Sequence, residues 1–189
     1  NMPTKRYSET ALKKLANTLS QTLLTPDAFE NLPELFRAVG VRLVFVDAFP
    51  GAKIDGGAMF VDGHPVIGLS GRGKRLDKVL FTLLHEIAHV VLAHVDDDRY
   101  IVEDLEESYA SANKQEKQAD DEADSWVFPD GFPHVPARIG VPWVEQMAAE
   151  TGVAPIVIIG RLQHFRRLDW RTTLAKNAPT VGGALEKWS

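Results

Sequence analysis

The sequence predicts an α+β fold, in which helices lead into a small three-stranded antiparallel sheet packed on helices, followed by a helical hairpin or helix-turn-helix-like segment. Three observations predict it. Apolar residues recur at helical spacing at Ala11, Leu12, Leu15 and Leu19, and again between Leu76 and Leu92. Between those runs lie three short segments rich in β-branched and aromatic residues, bounded by Gly, Pro and Asp. The chain has 189 residues, 44% of them hydrophobic, which is enough for one core and demands no second.

Taken in order, Ser8 is an N-cap for a helix over residues 8–24, and Pro26-Asp27 opens a second helix that ends at Val39 before Gly40. Residues 41–46 read as a strand. Residues 57–61 and 65–69 form a hairpin turning at Asp62-Gly63-His64. A loop through Gly71 and Gly73 enters the long apolar helix, and an acidic helix follows over 113–126. Beyond Pro133, two short helices over 143–150 and 156–167 are joined by Thr151-Gly152-Val153. One domain therefore spans 1–189, with the sheet and core in 1–132, a helical subregion in 133–176 and a tail in 177–189.

Within the long helix stands His85-Glu86-Ile87-Ala88-His89. Residues four apart on a helix differ by only about 40° in heading, so both imidazoles can reach one metal ion. This spacing is a signature of zinc peptidases: the imidazoles bind Zn2+, and the intervening Glu86 serves as general base toward a water. Leu76, Val79, Leu80, Leu83, Leu84, Ile87, Ala88, Val91 and Leu92 cover a broad apolar arc and leave His85, Glu86 and His89 together on the remaining side. The competing reading is a pair of structural histidines in a buried helix. His94 follows His89 by five residues, about 140° further round a continuous helix, and no glycine among Val90, Val91, Leu92 and Ala93 breaks that helix. His94 is thus expected to point away from the metal as a helix C-terminal residue.

A zinc site normally takes a third protein ligand, and with no cysteine in the chain it must be His or carboxylate. On the acidic helix Ala119, Glu122, Ala123 and Trp126 form one stripe, while Asp120, Asp121 and Asp124 fall on the opposite arc. Glu122 is the expected ligand, because a carboxylate on an apolar stripe is costly without a cationic partner. Glu116, at the edge of that stripe, is the second candidate. A buried salt bridge is the alternative role for Glu122.

The segments Leu84-His-Glu-Ile-Ala-His89, Glu122-Ala-Asp124 with Trp126 after it, and Gly160-Arg-Leu-Gln-His164 make the chain resemble the ImmA/IrrE family of metallopeptidases across roughly residues 30–170. The resemblance implies a zincin-like core, a zinc ion whose third ligand is Glu122, and a protein substrate of the DNA-binding repressor type. That family usually continues its Glu-Ala-Asp/Asn element as a longer helix, whereas Val127-Phe128-Pro129 arrives sooner here.

Arg161, His164 and Tyr109 are the candidates for stabilising the oxyanion of peptide attack; their plainer roles are a salt bridge, a surface histidine and a packing tyrosine. One hairpin strand is expected to hold an extended substrate by main-chain hydrogen bonds, with a proline at Val66 as the disrupting change. Residues 96–124 carry twelve Asp/Glu against three Lys/Arg, a local −9 in a chain of net −5. That charge would attract a basic substrate, or it is simply a solvated face. Asp96, Asp97 and Asp98 lack the Gly and terminal Glu of a calcium loop. The two C-terminal helices could contact DNA through Arg161, Arg166, Arg167 and Arg171, but Ile156 to Ile159 are too apolar for an exposed reading helix, so DNA is the less favoured partner. No apolar run suits a membrane and no signal-like segment follows Asn1, so a cytoplasmic location is expected. The second functional reading is a non-catalytic regulatory or antitoxin-like module that grips protein or DNA. The intact Glu86 favours the enzyme.

Overall fold

The computed structural model describes residues 5–46, 55–70, 73–95 and 105–188, with side chains described throughout these except over 105–112. Helix α1 (Glu9–Thr22) starts where Ser8 Oγ accepts the Ala11 N–H at 3.3 Å. It buries Leu12, Ala16 and Leu19. The next apolar run splits into a 3-10 turn, Pro26–Phe29, and α2 (Leu32–Ala38), where one helix was expected. Pro33 explains the break: its ring excludes the carbonyl four residues back and it offers no N–H, so it is tolerated only in a first turn.

Three strands follow: β1 (Arg42–Val46), β2 (Gly56–Val61) and β3 (His64–Ser70). The hairpin is as expected. Asp62 and Gly63, at φ 51° and 74°, supply the two positive φ values that a tight two-residue turn of the right twist requires. The sheet, however, is mixed rather than antiparallel. Its order is β1-β3-β2, with β1 parallel to β3 (Leu43 beside Ile67, Phe45 beside Leu69) and β2 antiparallel to β3 (Ala58 beside Ile67, Met59 beside Val66). Strand β3 takes the centre because it buries Pro65, Ile67 and Leu69 on one face, whereas β2 begins with two glycines and packs less. Val66 therefore sits on the central strand, and the hairpin's edge strand is β2.

Helix α3 (Leu76–Val91) is the hub, touching α1, α4, α6, β2 and β3. Its apolar arc is buried as the spacing predicts, with Leu76, Leu80, Leu83, Leu84 and Ile87 fully enclosed. Helix α4 (Leu105–Val127) lies across it and buries Ala119, Ala123 and Trp126. Ser20 Oγ donates to the Trp126 carbonyl at 3.4 Å, tying α1 to the end of α4.

Helices α5 (Val141–Thr151) and α6 (Pro155–His164) form the expected hairpin, with Gly152 at φ 71° in the turn. From Ile156 to Gln163 every residue of α6 is buried, the placement of a core helix against α3 rather than of an exposed reading helix. The final residues are no loose tail. Thr180 bridges Arg75, the Val181 N–H donates to the Lys74 carbonyl at 2.7 Å, and α7 (Gly182–Leu185) buries Ala184 and Leu185. Trp188 Nε1 then donates to the Phe29 carbonyl at 3.0 Å. Among the described residues no helix is long and apolar enough to cross a membrane.

Candidate metal centre

The last turns of α3 present His85 and His89 to one point, as a four-residue helical spacing must. Their Nε2 atoms stand 2.9 Å apart. Glu116 of α4 closes the group, its carboxylate oxygens 3.1 Å from His85 Nε2 and 3.3 Å from His89 Nε2. These three residues could hold a metal ion. The donor set fits one: His85 Nδ1 faces Asp120 and His89 Nδ1 faces His94, so a ring proton has a place behind each imidazole. With those tautomers both Nε2 lone pairs would point into the group, an arrangement that a cation between them satisfies. A tetrahedron of ligands at zinc–nitrogen distance has edges of about 3.3 Å, close to the separations found.

Glu122 is not brought to this group, and the carboxylate there is Glu116, the second candidate. Helix geometry gives the reason. Taking Ala119 as zero and about 100° per residue, Ala123 lies near 40°, Glu116 near 60°, Asp120 near 100° and Asp124 near 140°, while Glu122 lies near −60°. The buried alanines aim α4 between two neighbours, so acids on one flank face α3 and α6, and Glu122 on the other faces α1. There it contributes to the field at Lys13.

Glu116, Asp120 and Asp124 consequently form one row, each one turn after the last, and each meets a different partner. Glu116 meets both imidazoles, Asp120 Oδ1 lies 2.9 Å from His85 Nδ1, and Asp124 pairs with Arg161. Asp120 and Asp124, expected to face outward, are neighbours of the group that sequence reasoning missed; the signal was the four-residue spacing of Glu116, Asp120 and Asp124. Asp120 stays below the usual carboxylate range chiefly because of its hydrogen bond with His85, and the same bond raises His85. Burial, with the charge of His85, lowers His89.

His94 is also placed differently from expectation. The helix stops at Val91, and Ala93 adopts φ 53°, so His94 turns back until its Nδ1 is 3.2 Å from His89 Nδ1. Angular extrapolation along a continuous helix failed because the helix does not continue.

Glu86 is buried, at 8% exposure, and shares the cleft with His85, His89 and Glu116. Burial, assisted by Glu116 and opposed by His85, pushes its carboxyl up to about 7. Gly56 of β2 lies directly over it; a Cβ there would come within 2.6 Å of Thr82 Cγ2 and 3.0 Å of Glu86 Oε1. The cleft encloses about 1020 Å³, with the start of β2 along one wall and Gly160, Arg161 and His164 of α6 along another.

Arg161 is buried between Phe81 and Phe165, its Cζ 4.9 and 4.7 Å from the ring centroids, and burial lowers its guanidinium to about 10. His164 stands at the cleft rim, lowered by burial and by Arg161. The Tyr109 side chain and Asp96, Asp97 and Asp98 lie outside the described residues.

The model of the family Peptidase U49 matches residues 76–134, the stretch from the start of α3 to just past the end of α4. It contains His85, Glu86, His89, Glu116 and Asp120, and it supports a peptidase. Comparison with curated proteins finds no match.

Proposed function

We propose that this chain is a zinc-dependent endopeptidase that cuts a regulatory protein, with His85, His89 and Glu116 as the metal ligands and Glu86 as general base. The observation that carries this reading is the convergence of three donor residues beside a buried carboxylate in an open cleft. The Peptidase U49 match over the same segment supports it.

Zinc held there would supply Lewis-acid polarisation of the scissile carbonyl. The chain's own residues account for the rest. Among the described residues strand β2 is the edge of the sheet, and its start lines the cleft, so its main chain can hold an extended peptide across the ligands. Glu86, buried in the same cleft, takes the proton of the attacking water and passes it to the departing amide nitrogen. Of Arg161 and His164, His164 has the better claim to the oxyanion, because Arg161 is committed to Asp124 and held between two rings. A repressor-type substrate is supported by the resemblance to the ImmA/IrrE family and by the −9 charge of residues 96–124, which favours a basic partner.

The reaction is tested with two probes, casein and a basic helix-turn-helix repressor, using zinc-loaded wild type and Glu86→Gln. The expected outcome is cleavage by wild type and a loss of roughly 10²–10⁴-fold in the variant at equal zinc content. Wild-type protein that carries zinc and binds the repressor without cutting either probe would favour the non-catalytic module instead.

A further inference from the structure

The end of α3 carries a feature that the proposed reaction does not use. Leu92 caps the helix, the Ala93 N–H donates to the Val90 carbonyl at 3.3 Å, and the His94 N–H reaches back five residues to the His89 carbonyl at 3.0 Å. With Ala93 at φ 53°, this is the helix stop known as a Schellman motif, with alanine in the place that glycine usually fills. The motif brings the second residue past the cap over the third residue before it, a contact that is commonly apolar. Here those two positions are His94 and His89. Their rings meet edge to face with centroids 5.2 Å apart and Nδ1 atoms 3.2 Å apart.

We propose that His94 is the positioning residue for the ligand His89, held in place by the left-handed turn at Ala93. The inference rests on the metal-centre reading. An imidazole that offers its Nε2 lone pair to a metal carries its remaining proton on Nδ1, and that proton needs an acceptor to fix the ring's tautomer and orientation. His94 Nδ1 stands where that acceptor is needed for His89, just as Asp120 Oδ1 does for His85. Each ligand imidazole thus has its own support from a different part of the chain: the helix α4 carboxylate behind one, and the helix stop of α3 itself behind the other. An imidazole acceptor adds no negative charge behind His89, so the two ligands are supported unequally.

Zinc affinity of the full chain is measured by chelator competition, the cobalt(II) absorption spectrum reports ligand geometry, and melting of the metal-free protein reports the fold. His94→Ala should weaken zinc binding roughly 10–100-fold and alter the cobalt spectrum while metal-free melting stays at the wild-type temperature. His94→Asn, whose amide oxygen stands where Nδ1 was, should recover most of the loss. Ala93→Gly should bind zinc as wild type does, because glycine takes the left-handed conformation without strain. Unchanged affinity in His94→Ala overturns the inference and leaves the metal centre intact. Equal weakening in His94→Ala and His94→Asn with lowered metal-free melting also overturns it, assigning His94 a structural role. Wild-type protein that takes up neither zinc nor cobalt refutes the metal centre itself.

Discussion

Asp120 would support a metal ion at the proposed centre without touching it. Its hydrogen bond to His85 Nδ1 orients that ring and favours the tautomer with Nε2 toward the ligand group. Replacing it, Asp120→Ala, should cost roughly 10–100-fold in zinc affinity by the same competition measurement, with the fold retained because its side chain is largely exposed. His85, Glu86 and His89 were legible in the sequence because their juxtaposition is local to one helix. The choice between Glu116 and Glu122 was not: both lie within a helical turn of the same buried stripe, and only the identity of the neighbour on each flank decides which meets the imidazoles. A second residue-scale prediction concerns Tyr7. Burial, with a smaller push from Glu9, raises its phenol to about 12, and among the described residues its hydroxyl has no hydrogen-bond partner. A raised folded-state value means that stability is complete below about 10, the unfolded value, and declines as pH rises from there toward about 12. Tyr7→Phe should flatten that alkaline decline, as followed by urea unfolding at successive pH values, and at neutral pH it should cost little or nothing.

At the scale of elements, helix α6 meets α3 so closely that a Cβ on Gly160 would run into the carboxylate of Asp77. Asp77 is itself fixed: Arg75 donates to both of its oxygens, at 2.6 and 2.7 Å, and also to Gln163 Oε1 at 2.8 Å. The clash cannot be relieved by a simple rotation, so Gly160→Ala should destabilise the protein by about 1–3 kcal/mol in denaturant unfolding. In Gly160-Arg-Leu-Gln-His164 the glycine admits Asp77 and the glutamine bonds Arg75, while the glycine, arginine and histidine line the cleft. Element types were readable from periodicity and turn residues. The register of β1 was not, because a hairpin pattern says which strands are joined by a turn and nothing about which side of β3 a preceding strand will join, or in which direction. The helix stop before His94 was missed for a related reason. Alanine at a left-handed position leaves no signature of the kind glycine does.

Over the whole molecule, the core is continuous from α1 through α3 and α4 to α6 and α7, and the last residues of the chain belong to it. They read as a tail because Gly182-Gly183 and a short apolar run predict little by themselves; their contacts are with α3's entry and the Pro26–Phe29 turn, far away in sequence. Leu185 is fully buried, and Leu185→Ala should cost about 2–5 kcal/mol, seen as a lower urea midpoint. By bracing the start of α3, these residues hold the helix whose other end carries His85 and His89. The metal centre is the point on which the functional account turns, and elemental analysis of zinc in purified wild type, Glu116→Gln and Glu122→Gln tests it most directly. About one zinc per chain is expected in wild type and in Glu122→Gln, with loss in Glu116→Gln, since one metal ion would take one tetrahedral ligand set. Zinc retained by Glu116→Gln and lost from Glu122→Gln would contradict it.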